Sequence, residues 1–318
     1  MRSLLCGICL LALCACQHMP IYSLNSAIEN ENIPAITQAL SNGQDINKPD
    51  SYGTTPLMLA AKKVSNPSVI TMLIRNGALV NMKDSSGATP LMYALDNPNE
   101  QVALVLIENN ADVFAQKNDG ASVLVQALMK DKKNLAKMLL DKGLPPNQAG
   151  PYGWTPLMIS IMQEDKQMAH FLLEHNADVN ARADNLWTPV LFSAAYNTKP
   201  DILQLLLSYG ADINAVSEEK IDALMLAAAL NPNANMTYTL LQNGADAFLT
   251  DTYGFNALMY ASLLNPNPEI IQALVETGVD ITQISPDRKN ASDYAAQNRY
   301  LENTPALELL KKQHPKLD

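Results

Sequence analysis

The side chains best suited to chemistry are few in this sequence, and their spacing does not assemble a reaction centre. There are four histidines: His18, His170, His175 and His314. His18 and His314 lie near the two ends of the chain. His170 and His175 are five positions apart in a stretch with helical spacing, so they point in different directions and make a poor metal pair. No HExxH helix, GxSxG turn or glycine-rich phosphate loop is present. Aspartates are plentiful, but Asp112, Asp178, Asp212, Asp246 and Asp280 recur at one place in a repeating phrase. There a carboxylate serves a turn. The expectation is a protein that is not an enzyme and holds no cofactor and no metal.

Composition narrows the class. Of 318 residues, 47% are hydrophobic and 17% charged, too apolar a balance for a disordered chain. Lys and Arg number 22 against 32 Asp and Glu, a net charge of -10. That balance argues against a nucleic-acid partner, which calls for a basic face to displace counterions. Beyond the N-terminus no apolar run approaches the roughly 18–20 residues that span a bilayer.

The N-terminus reads as a targeting segment. Arg2 supplies a positive charge, and Leu4 to Leu13 is an apolar stretch of signal-peptide length. Leu13-Cys14-Ala15-Cys16 resembles the bacterial lipobox, which implies cleavage after residue 15 and a lipid on Cys16. All four cysteines (Cys6, Cys9, Cys14 and Cys16) lie in this segment, so the mature chain would retain only the lipidated one and form no disulfide framework. Loss of residues 1–15 removes Arg2, leaving 21 bases and 32 acids, or -11. By the sorting rule that the resemblance brings with it, Gln17 after the lipidated cysteine favours the outer membrane of a Gram-negative cell. The lipid would be the chain's only contact with the membrane.

The rest of the sequence is one phrase repeated. TTPLMLAA from Thr54 recurs as ATPLMYAL from Ala88, ASVLVQAL from Ala121, WTPLMISI from Trp154, WTPVLFSA from Trp187, IDALMLAA from Ile221, FNALMYAS from Phe255 and KNASDYAA from Lys289, spaced by 33 or 34 residues. A second phrase keeps register: NGQDIN from Asn42, NGALVN from Asn76, NNADVF from Asn109, HNADVN from His175, YGADIN from Tyr209, NGADAF from Asn243 and TGVDIT from Thr277. This pattern resembles the ankyrin repeat over about residues 21–315. The resemblance implies an all-α solenoid of stacked helix-turn-helix units with short β-hairpin-like fingers. The expected organisation is a signal peptide (1–15), a lipidated tether (16–20) and a single ankyrin repeat domain (21–318). Within the domain, 21–49 caps the N-terminal end, 50–285 holds seven full repeats and 286–318 caps the C-terminal end.

Each unit has a physical rationale. A Thr or Ser followed by Pro opens the inner helix, capping free N–H groups and suiting the first helical position. Alanines such as Ala60, Ala61, Ala227 and Ala228 let inner helices approach closely. Asn-Pro pairs at 66–67, 97–98, 231–232 and 265–266 are expected to start the outer helices. Gly43, Gly77, Gly143, Gly210, Gly244 and Gly278, with Asn110 and Asn176 in two repeats, are expected to end them in the left-handed conformation. One departure from the family is systematic: Met58, Met92, Met158, Met225 and Met259 stand where the family has His. Methionine fills space and donates no hydrogen bond, so the source of bonds between adjacent repeats is left open.

Ankyrin arrays bind partners with finger tips and the exposed part of the inner helix, and this resemblance locates a candidate surface. The slot before the cap reads Thr54, Ala88 and Ala121, then Trp154, Trp187, Ile221 and Phe255. After the apolar phrase, early repeats carry polar pairs such as Lys62-Lys63, whereas Met162, Tyr196, Leu230 and Leu263 follow later. These eight bulky residues are expected to form a partner-binding patch on repeats four to seven, with framework packing as the competing reading. The partner is expected to be another protein, and the chain is expected to be a monomer. Two roles fit a lipid-anchored binding module of the cell envelope: an immunity protein that neutralises a periplasm-delivered toxin, or a scaffold for an envelope or stress-defence enzyme.

Overall fold

The computed structural model describes residues 23–312. Cys16, His18 and His314, with the signal and tether, lie outside these residues. The described chain holds eighteen α-helices and one 3-10 turn, with no extended strand. None of the helices is long and apolar enough to cross a membrane. The described residues divide into two compact units, with the division after residue 118.

In the first unit, α1 (Leu24–Glu29) and α2 (Ile33–Ser41) form the end repeat; α3 (Pro56–Lys63) with α4 (Pro67–Arg75) and α5 (Pro90–Ala94) with α6 (Gln101–Glu108) follow. The second unit opens with α7 (Val123–Met129), α8 (Lys133–Asp141), α9 (Pro156–Met162), α10 (Lys166–Glu174), α11 (Pro189–Tyr196) and α12 (Asp201–Ser208). It continues with α13 (Ala223–Leu230), α14 (Ala234–Gln242), α15 (Ala257–Leu264) and α16 (Pro268–Glu276), and closes with α17 (Ala291–Ala295) and α18 (Pro305–Lys312). Within each unit, inner helices pack on successive inner helices and each on its own outer helix. Ala60, Ala61, Ala227, Ala228 and Ala261 are fully buried where inner helices meet. The five methionines of the phrase are all buried. Two of them do more than fill space: the Sδ atoms of Met58 and Met158 accept the N–H of the cap residues Thr55 and Thr155 at 3.3 and 3.5 Å.

Caps of the inner helices follow the chemistry of their side chains, with two exceptions. Thr55, Ser122, Thr155, Asp222, Asn256 and Asn290 each accept a backbone N–H three residues on. Thr89 and Thr188 make no such bond, and their buried hydroxyls find no partner. Outer helices end as expected: Gly210 has φ +82° and Asn176 φ +65°.

The Asn-Pro pairs divide into two kinds, which corrects the simple reading. Asn66 does cap α4. In α14 and α16, however, the caps are Asn233 and Asn267, two residues later. Asn231 and Asn265 are buried instead, and they reach back to the preceding repeat. Asn231 donates to the carbonyls of Asn197 at 2.7 Å and Ala194 at 3.4 Å. Asn265 donates to Asn231 and Ala228, both at 2.9 Å, and Asn298 to Asn265 at 2.9 Å. In the first unit Asn97 bonds Val64 and Ala61 in the same way, at 2.8 and 3.0 Å. A second, exposed series closes the opposite end of each unit: Asn147, Asn180 and Asn214 donate to the carbonyls of Asn176, Gly210 and Gly244. They accept in return from the N–H of Asp178, Asp212 and Asp246. Asparagine thus supplies the bonds between repeats that methionine does not.

The fingers are hairpin-like but too short for strands. Seven of them close on the same backbone bond, such as Ala183 N–H to the Trp187 carbonyl at 2.9 Å. Successive tips are tied as well: Asp184 donates to Tyr152, Glu218 to Asn185 and Thr252 to Glu219.

Candidate functional site: the inner-helix face of the second unit

The slot before each cap has a fixed backbone. The carbonyls of Trp154, Trp187, Ile221 and Phe255 all accept the bond that closes their finger, at 2.9 Å. Their side chains are therefore repeated in one direction, and all four are half-buried. The half-burial has a definite cause at the two tryptophans. Phe192, only 2% exposed, stands between them: Trp154 meets its ring edge-on at 5.7 Å and Trp187 at 5.3 Å. Tyr196 lies 6.0 Å from Phe192 and 6.2 Å from Trp187, and Tyr152 lies 6.0 Å from Trp154. Five rings thus form one cluster across two repeats. Such pairs add about 0.5–1.5 kcal/mol each beyond burial. The tryptophans are in part framework and in part surface.

Phe255 belongs to a separate group. Its ring packs on Tyr260 at 5.5 Å and on buried Tyr294 at 5.2 Å. Tyr260 donates to the carboxylate of Asp251 in its own finger at 2.6 Å, and burial followed by this bond raises its hydroxyl far above the ordinary value. Tyr93 in the first unit makes the same bond to Asp84 at 2.8 Å. Residues 93, 192 and 260 occupy one place in the apolar phrase. Nothing in the repeating phrase marks this place as special, yet it decides how the finger residue is held.

The open part of the face is a row at the C-terminal ends of the inner helices. Tyr196, Leu230 and Leu264 are 51%, 56% and 50% exposed. Met162 and Leu263 sit one position earlier in the repeat and are half-buried. The register equivalent of Tyr196 and Leu230 is therefore Leu264, not Leu263, because one residue is a turn of about 100° on a helix. The finger tips add Tyr152 and Tyr253, both largely exposed. The corresponding face of the first unit has an exposed tip ring of its own, Tyr52, but at its helix ends it carries lysines that pair with its own acids: Lys63 meets Glu29 at 2.7 Å and Lys62 approaches Asp96 at 4.0 Å.

One titratable group lies under the strip. Asp222 caps α13 by accepting the Met225 N–H at 2.7 Å and is buried. Burial pushes its carboxyl up to about 6, against the pull of its backbone bonds. The internal histidines diverge: His170 faces Glu174 at 3.5 Å, whereas Nδ1 of His175 meets the Phe171 carbonyl at 2.8 Å and its Nε2 faces Asp141 at 3.3 Å. Among the described residues no three metal-ligating side chains come together.

The family described as ankyrin repeats (3 copies) matches at residues 24–117, 102–183, 124–217, 191–285 and 224–316. A comparison with curated proteins finds no match. Ankyrin repeats are protein–protein interaction modules, and a face of stacked fingers and helix ends suits that work. The matched segments run through nearly all of the described residues, and the chain belongs to the ankyrin repeat family.

Proposed function

We propose that this chain is a non-enzymatic binding module, held to a bacterial envelope membrane by lipid on Cys16, that docks a protein partner on the inner-helix face of its second unit. The observation that carries this reading is the exposed row Tyr196, Leu230 and Leu264 beside a ring cluster that is only half-covered. A contiguous apolar row of this kind calls for a covering surface, and aromatic residues are the usual anchors of one. The Leu13-Cys14-Ala15-Cys16 motif supports the anchor, and Gln17 an outer-membrane location facing the periplasm. The single chain is the working form.

The face is built in advance. Tied finger tips and hydrogen-bonded repeats leave little to order when a partner arrives, which favours tight capture. Neutralising a toxin delivered to the periplasm is a task of that kind, and we assign it to this chain. In co-culture, a strain lacking the protein is expected to be killed by its parent. Wild type should protect it, while a Tyr196→Ser/Leu230→Ser variant should not. Survival of the deleted strain without complementation would remove the immunity role. For the anchor, labelled palmitate is expected on wild type and absent from Cys16→Ala; equal label on both would remove it.

A further inference from the structure

We infer that the partner surface of the second unit takes a basic amphipathic segment, its apolar side chains on the row from Tyr196 to Leu264 and its cations against the finger tips. This rests on the docking face proposed above and adds the chemistry of what docks there.

The inference comes from where the charge lies. Residues 183–287, the stretch that carries the row, hold twelve acids and two bases, Lys199 and Lys220. That difference equals the net charge of the whole chain, -10. Three of the twelve acids, Asp184, Glu218 and Glu219, are exposed on adjoining tips. The tip-to-tip backbone bonds Glu218 to Asn185 and Thr252 to Glu219 hold the tips that carry these carboxylates in sequence from repeat to repeat. No ion pair among the described residues involves any of the three. Lys220 shares their tip and is the one base between residues 200 and 287. The first unit is the internal contrast, since its lysines on the equivalent face are paired with its own acids.

An apolar row alone would accept any apolar ligand. Carboxylates without an ion-pair partner on the neighbouring tips repel an acidic ligand and draw in a basic one, which gives both selectivity and faster encounter. The effect is screened by salt, because the carboxylates are exposed.

The test uses the whole mature chain and three labelled peptides of about 18 residues, roughly five helical turns. One has Leu at helical spacing with Lys elsewhere, the second has Glu in place of every Lys, and the third keeps Lys but has Ser in place of every Leu. Both tryptophans of the protein, Trp154 and Trp187, belong to the ring cluster that includes Tyr196 and report binding by their fluorescence. The Leu–Lys peptide is expected to bind at least about tenfold more tightly than either control. Glu218→Gln/Glu219→Gln is expected to weaken it several-fold and to flatten its salt dependence, while the melting curve stays unchanged.

Equal binding of the Leu–Lys and Leu–Glu peptides would overturn the basic partner and leave the apolar docking face standing. Binding of the Leu–Lys peptide that Leu230→Ser does not weaken would remove the face itself. Failure of all three peptides would overturn the inference.

Discussion

The side-chain amide of Asn231 donates to the backbone carbonyl of Asn197, 2.7 Å away and one repeat upstream. Asn265 does the same to Asn231, so each buried asparagine is a donor to one repeat and a carbonyl acceptor from the next. Bonds of this kind cost little in a completed array and a great deal when one member is missing, because a buried carbonyl is left without a donor. They account for how repeats without the family's histidine stay in register.

Asn231→Ala is expected to destabilise the protein by about 2–4 kcal/mol, from the lost bonds and the stranded carbonyl of Asn197. Asn214 makes the same kind of link in the exposed series. There water replaces the lost partner, and Asn214→Ala is expected to cost about 1 kcal/mol or less. Urea melts of the two variants check the ordering. Equal losses would show that the buried series has no special weight.

The second prediction concerns pH. Asp222 is buried, and burial pushes its carboxyl up to about 6 in the folded chain, above the ordinary aspartate value of 3.8. The folded state therefore binds a proton more tightly than the unfolded one. The stability this contributes is complete below about pH 4 and is lost as pH rises through about 6. Asp222→Asn keeps the cap, as Asn256 does for the next inner helix. The variant is expected to be more stable than wild type by roughly 1–3 kcal/mol above pH 7, with the gap closing below about pH 4. Denaturation midpoints from pH 4 to 8 read it directly, and parallel curves for the two proteins would place the titration elsewhere.

Gly210 isolates backbone conformation from packing. Its φ is +82°, and a Cβ built there would meet nothing within 4 Å. Substitution cost then comes from the left-handed backbone alone. Gly210→Ala is expected to cost about 1 kcal/mol, Gly210→Val more, and Gly210→Asn least. Asn already occupies this slot at residues 110 and 176 with φ +64° and +65°. A melt series that ranked Asn with Val would contradict the assignment.

Much of this architecture was legible because a phrase recurring every 33 or 34 residues reports its own register. The Thr-Pro starts, the glycine ends and the buried methionines followed from one alignment. Three features were not legible, and each for a physical reason. Asn231 and Asn233 are the same residue type two positions apart, and only the burial of the first separates a link between repeats from a cap. Phe192 reads as core by its position, yet its ring is wide enough to pack Trp154 and Trp187 on both sides. Leu263 and Leu264 are adjacent and chemically identical, and although the register of Tyr196 and Leu230 singles out Leu264, how far each is covered depends on helix packing, which residue type does not report.

The last prediction separates framework from surface within the strip. Trp187 contacts Phe192 and Tyr196, so Trp187→Ala removes packing that the folded chain already uses. It is expected to lower stability by about 1–3 kcal/mol as well as to weaken the partner. Leu230 is 56% exposed at the end of its helix. Leu230→Ser is expected to change stability by no more than about 0.5 kcal/mol. If a partner covers the row, the same substitution removes a buried apolar contact and costs about 1–2 kcal/mol of binding, or roughly five- to thirtyfold in affinity. The pair therefore gives opposite signatures. Trp187→Ala moves the melt and the affinity together, while Leu230→Ser moves the affinity alone. Urea melts and titrations with the purified partner on the same protein samples decide between them. A Leu230→Ser protein that keeps full affinity while Trp187→Ala loses it only in proportion to its lost stability would make the whole strip framework.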